Sequence, residues 1–158
     1  MTHEAPKDRA LRLARASSRV SGPGDGRDSV SEPIVYIDTS EIREGALEEL
    51  KRAMNELVKF VEMNEPRLIA YNVYIKEDGT RVTVVHVHRD SASLEFHMNV
   101  AGPAFPKFAE FIELLTIDVY GKLSDDLLEQ VRQKARILGN GAVLVHESYV
   151  GFARFAVR

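Results

Sequence analysis

His86 and His88 stand two apart in Thr80–His88, a run rich in β-branched residues. On a strand, that spacing puts both imidazoles on one face, about 6.6 Å apart along the chain. Two imidazoles so placed suit proton transfer near neutral pH or the binding of one metal ion. A metal would need a third ligand, for which His97, His146 and Glu147 are the available side chains. The same spacing suits two histidines hydrogen-bonded in a polar sheet face or an interface. His97 lies in a helical segment and can act as a base or pack over a strand through a carbonyl bond. Tyr36, Asn72 and Tyr74 are the polar groups that would line a pocket beside these histidines, if their strands face it. Phe105, Phe108 and Phe111 recur at three-residue steps and read as core, with Phe105 and Phe108 as candidate pocket walls.

Other chemistries find little support. Cysteine is absent, which removes disulfides, thiolate metal sites and a Cys nucleophile. That fits a reducing cytosol, so a cytoplasmic location is expected. No glycine-rich phosphate loop and no Ser-His-Asp order occurs. The formal net charge is -3. Residues 1–31 carry six basic against four acidic residues, and the remainder fifteen against twenty. An acidic domain is a poor binder of a phosphate backbone, so no nucleic-acid partner is expected. No apolar run approaches the ~18 residues of a membrane helix, so no membrane role is expected.

Residues 1–31 hold few large apolar side chains, and from Ser17 onward are mostly Ser, Gly, Pro, Asp and Arg. Such a stretch cannot offset the entropy of ordering it, so a disordered basic tail is expected. A second reading is that the functional chain starts near Ser31. The domain is then 32–158.

The elements that must hold the candidate residues follow from periodicity. Ile34–Asp38 is a strand by its β-branched content. Ala46–Met63 places Leu47, Leu50, Met54, Leu57, Val58 and Val61 at three- and four-residue steps, the pattern of an amphipathic helix. Pro66 ends that helix. Arg67–Ile75 and Thr80–His88 flank Asp78-Gly79 and form a hairpin. A two-residue loop and a three-residue loop are both possible. The three-residue loop sets Ala70, Asn72 and Tyr74 beside Val84, His86 and His88, separates polar from apolar better, and is the expected one. Asp90 caps a helix over Ser91–Asn99, and Ala104–Leu115 continues as a second helical piece. Thr116–Tyr120 is a short strand, Ser124 caps a third helix, and Ala142–Ser148 is a last strand. Tyr149–Arg158 is a further strand or an arm that contacts a partner.

The resulting order predicts an α+β fold: a ferredoxin-like βαββαβ sheet with an added helix and strand. Helices cover one face. The other is apolar enough to call for a partner, and a second copy related by a twofold axis would supply it.

The block from His88 to Phe108 resembles the antibiotic-biosynthesis-monooxygenase family. It runs through Asp90-Ser91, then Ala92-Ser93-Leu94-Glu95-Phe96-His97, then Phe105 and Phe108. Arg43-Glu44-Gly45 leading into a helix is similar to the family's first loop. The likeness covers about residues 34 to 120. It implies a homodimeric α/β barrel that takes a small aromatic molecule, and an oxygenase of quinols or polyphenols that works without a cofactor. Other members degrade heme. His97 falls at the family's helical histidine, His88 where a Trp is usual, and His86 where a Glu is common. The first strand offers Tyr36 and Asp38 in place of an Asn. The resemblance thus implies His97, His88 and His86 as base and hydrogen-bond donors, with Asn72, Tyr74 and Tyr36 holding the substrate. No cofactor is expected, with heme or a divalent metal as the alternatives. A non-catalytic binding or dimerisation module is the second functional reading.

Overall fold

The computed structural model describes residues 32–155. The expectation of a disordered tail over 1–31 lies outside the described residues.

Five strands form one open sheet in the order β2-β3-β1-β4-β5. They are β1 (Ile34–Ile42), β2 (Leu68–Ile75), β3 (Arg81–His88), β4 (Ile112–Tyr120) and β5 (Ala142–His146). The helices are α1 (Leu47–Asn64), α2 (Ser91–Ala101), the single turn α3 (Phe105–Phe108) and α4 (Asp125–Ile137). Pairing is antiparallel except between β4 and β5. A parallel neighbour needs a crossover, which α4 supplies. The architecture is the α+β, ferredoxin-like one with an added helix and strand.

Alternation along the strands decides which side chains meet the helices. Ile34, Tyr36, Asp38 and Ser40 of β1 are buried, as are Val82, Val84, His86 and His88 of β3 and Ile117 and Val119 of β4. Leu50, Ala53, Met54, Leu57 and Val61 of α1 close over this face. Leu94, His97 and Met98 of α2 do so beside them. The opposite face carries Val35, Ile37, Thr39, Thr83, Val85 and Val87, all partly exposed. The expected caps form: Asp90 accepts from the backbone N–H of Ser93 at 2.8 Å and Ser124 from that of Leu127 at 3.2 Å.

Three local expectations change. The second helical piece does not run to Leu115; it stops at Phe108, and β4 begins at Ile112. Strand pairing captures the segment, because Ile112 lies opposite Ile42 and the Arg43 amide donates to the Phe111 carbonyl. A bulge at Leu115 then keeps Ile112, Leu114, Ile117 and Val119 all buried.

The hairpin takes the register of the two-residue alternative. Ile75 pairs with Val82, Val73 with Val84 and Tyr71 with His86. Gly79, at φ +71°, makes the turn. Tyr71, Val73 and Ile75 therefore face the helices, and Asn72 and Tyr74 lie on the other sheet face, both exposed. The expectation that Asn72 and Tyr74 share the histidines' face is corrected: that face is the core, and it takes the more apolar set of β2. Finally, among the described residues no strand forms beyond His146. Tyr149, Val150 and Phe152 stand largely in solvent.

Candidate functional site

The inward face of β1 and β3 ends at a cluster of polar side chains sealed beneath the helices. Tyr36, His86, His88 and His97 are each 0–1% exposed. His86 sits in the middle, with ring centroids 4.8 Å from Tyr36, 4.4 Å from Tyr71, 4.7 Å from His97 and 5.6 Å from His88. The strand spacing brings His86 and His88 to one face as expected, and α2 lowers His97 onto both.

His97 is fixed from behind. Its Nδ1 lies 2.9 and 3.0 Å from the two oxygens of Glu65, which is itself buried at the C-terminal end of α1. With Glu65 as the carboxylate and the imidazole neutral, Nδ1 donates and Nε2 is left as an acceptor. Nε2 is buried and has no protein partner. A histidine oriented by a carboxylate, with its other nitrogen free, is the arrangement of a general base.

The other two imidazoles are held neutral. Burial pushes the His86 pKa well below its ordinary value. Burial likewise pulls His88 down to about 3. The Nδ1 of His88 lies 3.0 Å from the Ser93 hydroxyl, its Nε2 has no partner, and neither nitrogen of His86 has one. Burial also pushes the Tyr36 hydroxyl up to about 12, so it is a neutral donor. That hydroxyl, too, is unpartnered. Leaving a buried polar atom without a partner costs roughly 1–3 kcal/mol. Five such atoms, on Tyr36, His86, His88 and His97, therefore mark a place built to meet something polar.

A charged pair flanks the cluster on the β1 side. Lys134 of α4 is 5% exposed, and its Nζ donates to Asp38 Oδ2 at 2.8 Å. Burial alone would lower the lysine pKa, but the adjacent carboxylate outweighs it and keeps the ammonium charged. The ammonium lies 4.8 Å from the ring centres of both Tyr36 and Phe105.

A cleft of about 470 Å³ opens between the end of α1 and β2, lined by Val58, Val61, Glu65, Leu68 and Tyr71 among others. Glu65 and Tyr71 form part of its wall, and the histidines lie beyond them. Asn72 borders this cleft, while Tyr74 is away from it. Phe105 meets the cluster through Lys134. Phe108 instead lines a separate groove of about 390 Å³ between α1 and the α2–α3 segment.

The rings of the cluster pack at 4.4–5.6 Å from one another, which leaves no slot for a porphyrin between them. Among the described residues, no group of three His, Asp or Glu side chains is disposed to hold a metal ion.

Sequence reasoning reached Tyr36, His86, His88 and His97 and missed Glu65, Tyr71 and Lys134. Signals for two of them existed. Glu65 continues the Leu57–Val61 stripe by four residues, and Lys134 falls three after Val131 on the apolar stripe of α4.

No protein-family model matches the chain, and no curated protein matches it by sequence. Solved structures do. MupZ from Pseudomonas fluorescens superposes with a TM-score of 0.62 at 18% identity, over 81% of this chain and 99% of that one. A conserved protein from Methanosarcina mazei Go1 gives 0.51 at 21% identity, over 58% and 93%. SnoaB from Streptomyces nogalater, a cofactor-independent oxygenase, gives 0.50 at 10% identity, over 60% and 96%. These likenesses show the fold. The α+β, ferredoxin-like fold read from the sequence is one this chain shares with a cofactor-independent oxygenase. Among the described residues, no helix is long and apolar enough to cross a membrane.

Proposed function

We propose that the chain is a small-molecule monooxygenase acting on phenolic or quinol-like compounds without a bound cofactor. The observation that carries the reading is the Glu65–His97 pair. It presents an unpartnered Nε2 inside a cluster whose other unpartnered atoms, on Tyr36, His86 and His88, can bind a substrate oxygen.

The substrate approaches through the cleft beside Tyr71, and a movement of that side chain admits it. His97 Nε2 takes the phenolic proton, and Glu65 stabilises the imidazolium that forms. Tyr36 donates to the resulting oxyanion, and neutral His86 and His88 complete its hydrogen bonds. Charge delocalised onto a ring carbon bearing hydrogen lets that carbon form a bond to dioxygen. The peroxide takes back the proton that His97 removed, and the resulting hydroperoxide gives up water, its O–O and C–H bonds breaking, and leaves a carbonyl. One oxygen atom enters the product, the other leaves as water, and the substrate supplies all the electrons.

The open sheet face fits a second copy of the chain, which would complete a dimeric barrel; Val35, Ile37, Val85 and Val87 supply its apolar centre. The absence of cysteine fits action in the cytoplasm. A second reading, a binding module without turnover, is favoured by the neutrality of His86 and His88, which suits hydrogen bonding better than proton transfer.

Oxygen uptake with a panel of hydroquinones separates the two. The oxygenase reading expects uptake that His97→Ala lowers by roughly 10²-fold or more. Ligand-induced thermal stabilisation with no uptake would establish the binding module instead.

A further inference from the structure

Lys134 has no place in the proton transfer described above, yet its position is costly. It is a lysine buried under a sheet, on a helix that lies outside the βαββαβ core. Asp38 holds its ammonium at 2.8 Å, and the ammonium rests over the Tyr36 ring. Tyr36 carries a buried hydroxyl with no partner within hydrogen-bond distance, and its ring lies 4.8 Å from that of His86. A cation on the face of a phenol withdraws charge from the ring and makes its O–H a better donor.

We propose that Lys134 is an electrostatic positioning residue that strengthens Tyr36 as the donor to an oxyanion, so that the site selects phenols and enols that ionise on binding. The proposal deepens the reading above and rests on the same site. Every element packed there contributes groups that face the oxyanion position or its supports: Tyr36 and Asp38 from β1, Tyr71 from β2, His86 and His88 from β3, Glu65 from the end of α1, and His97 from α2. Of these and Lys134, only the lysine is a fixed cation. Asp38 offsets part of its field; it lies 3.9 Å from His86 Nε2, outside hydrogen-bond range. Lys134 acts through Tyr36 and needs no contact with the ligand.

The test uses 4-nitrophenol, whose absorbance reports its own ionisation. Bound to the wild-type protein, it should ionise about one pH unit or more below its value in free solution. Lys134→Met alone leaves Asp38 buried and unpaired, so the informative variant is D38N/K134M, which keeps the interior neutral. Tyr36→Phe provides a second, independent variant that retains the ring. Both should bind the probe and lose most of the shift.

An unchanged shift in either folded variant would overturn the proposal, as would a probe that binds the wild-type protein without any shift or does not bind at all. The two assignments fail separately. A shift that depends on Lys134, combined with oxygen uptake indifferent to His97→Ala, would retain the lysine's role and remove the oxygenase reading. An unchanged shift combined with uptake that needs His97 would do the reverse.

Discussion

His97 and Glu65 meet at 2.9 Å with both side chains shut away from water, and the contact joins the middle of α2 to the C-terminal end of α1. Thirty-two positions of sequence separate them. Glu65 sets which nitrogen of His97 carries the proton, so Glu65→Gln should alter catalysis more than binding. Turnover of a hydroquinone should fall by roughly 10²-fold, with KM nearly unchanged. Steady-state kinetics of the variant checks this; a rise in KM at constant kcat would make Glu65 a substrate-binding group.

Stability should fall in mild acid, and the sign follows from the depressed histidines. In the unfolded chain His86 and His88 take up protons near pH 6.5. In the fold His88 stays neutral down to about 3, and His86 is also held well below its ordinary value. Their contribution is fully present above pH 6.5 and is lost as pH falls from there toward 3, because only the unfolded state gains protons. Each such histidine contributes about 1.4 kcal/mol per pH unit in that window. Urea unfolding at pH 7 and pH 5 measures the slope, and His88→Gln should reduce it by the share of one histidine.

The Lys134–Asp38 pair should behave asymmetrically. Lys134→Met leaves a buried carboxylate without its partner and should cost about 3–5 kcal/mol. The double variant D38N/K134M removes both charges and should recover most of that loss. Thermal or urea unfolding of the three proteins reads it directly. Equal losses in the single and double variants would mean that packing, and not charge, sets the cost.

The face carrying Val85 should control assembly and leave the site intact. Val85→Glu puts a charge at the centre of the open face, between Ile37 on β1 and Asn72 on β2. Sedimentation velocity should show a dimer for the wild-type chain and a monomer for the variant. Tyr74→Ala, on the same face, should leave 4-nitrophenol binding unchanged.

Periodicity carried most of the fold. The apolar stripes of α1 and α4, the caps at Asp90 and Ser124, and the Asp78-Gly79 turn are local signals, and each element formed where its signal lay. The hairpin register was not local. Both alternatives satisfy the turn, and what decides between them is that α1 covers the face of Tyr71, Val73 and Ile75. The same limit applies to the site. His86 and His88 share a face by strand geometry alone, and His97 came from a family likeness. Glu65 and Lys134 come from helices distant in sequence, and only the packing of those helices brings them to the histidines. A charged residue on an apolar stripe was the legible sign of each.

The central claim is that His97 presents a bare Nε2 to a ligand bound among the histidines. Two-dimensional NMR of protein labelled with ¹⁵N-histidine observes that nitrogen itself. In the free protein His97 should be the Nδ1–H tautomer with an unprotonated Nε2, and a bound phenol should shift that Nε2 resonance while leaving exposed His146 unmoved. A proton on Nε2 of the free protein, or a phenol that binds without perturbing His86, His88 or His97, would contradict the account.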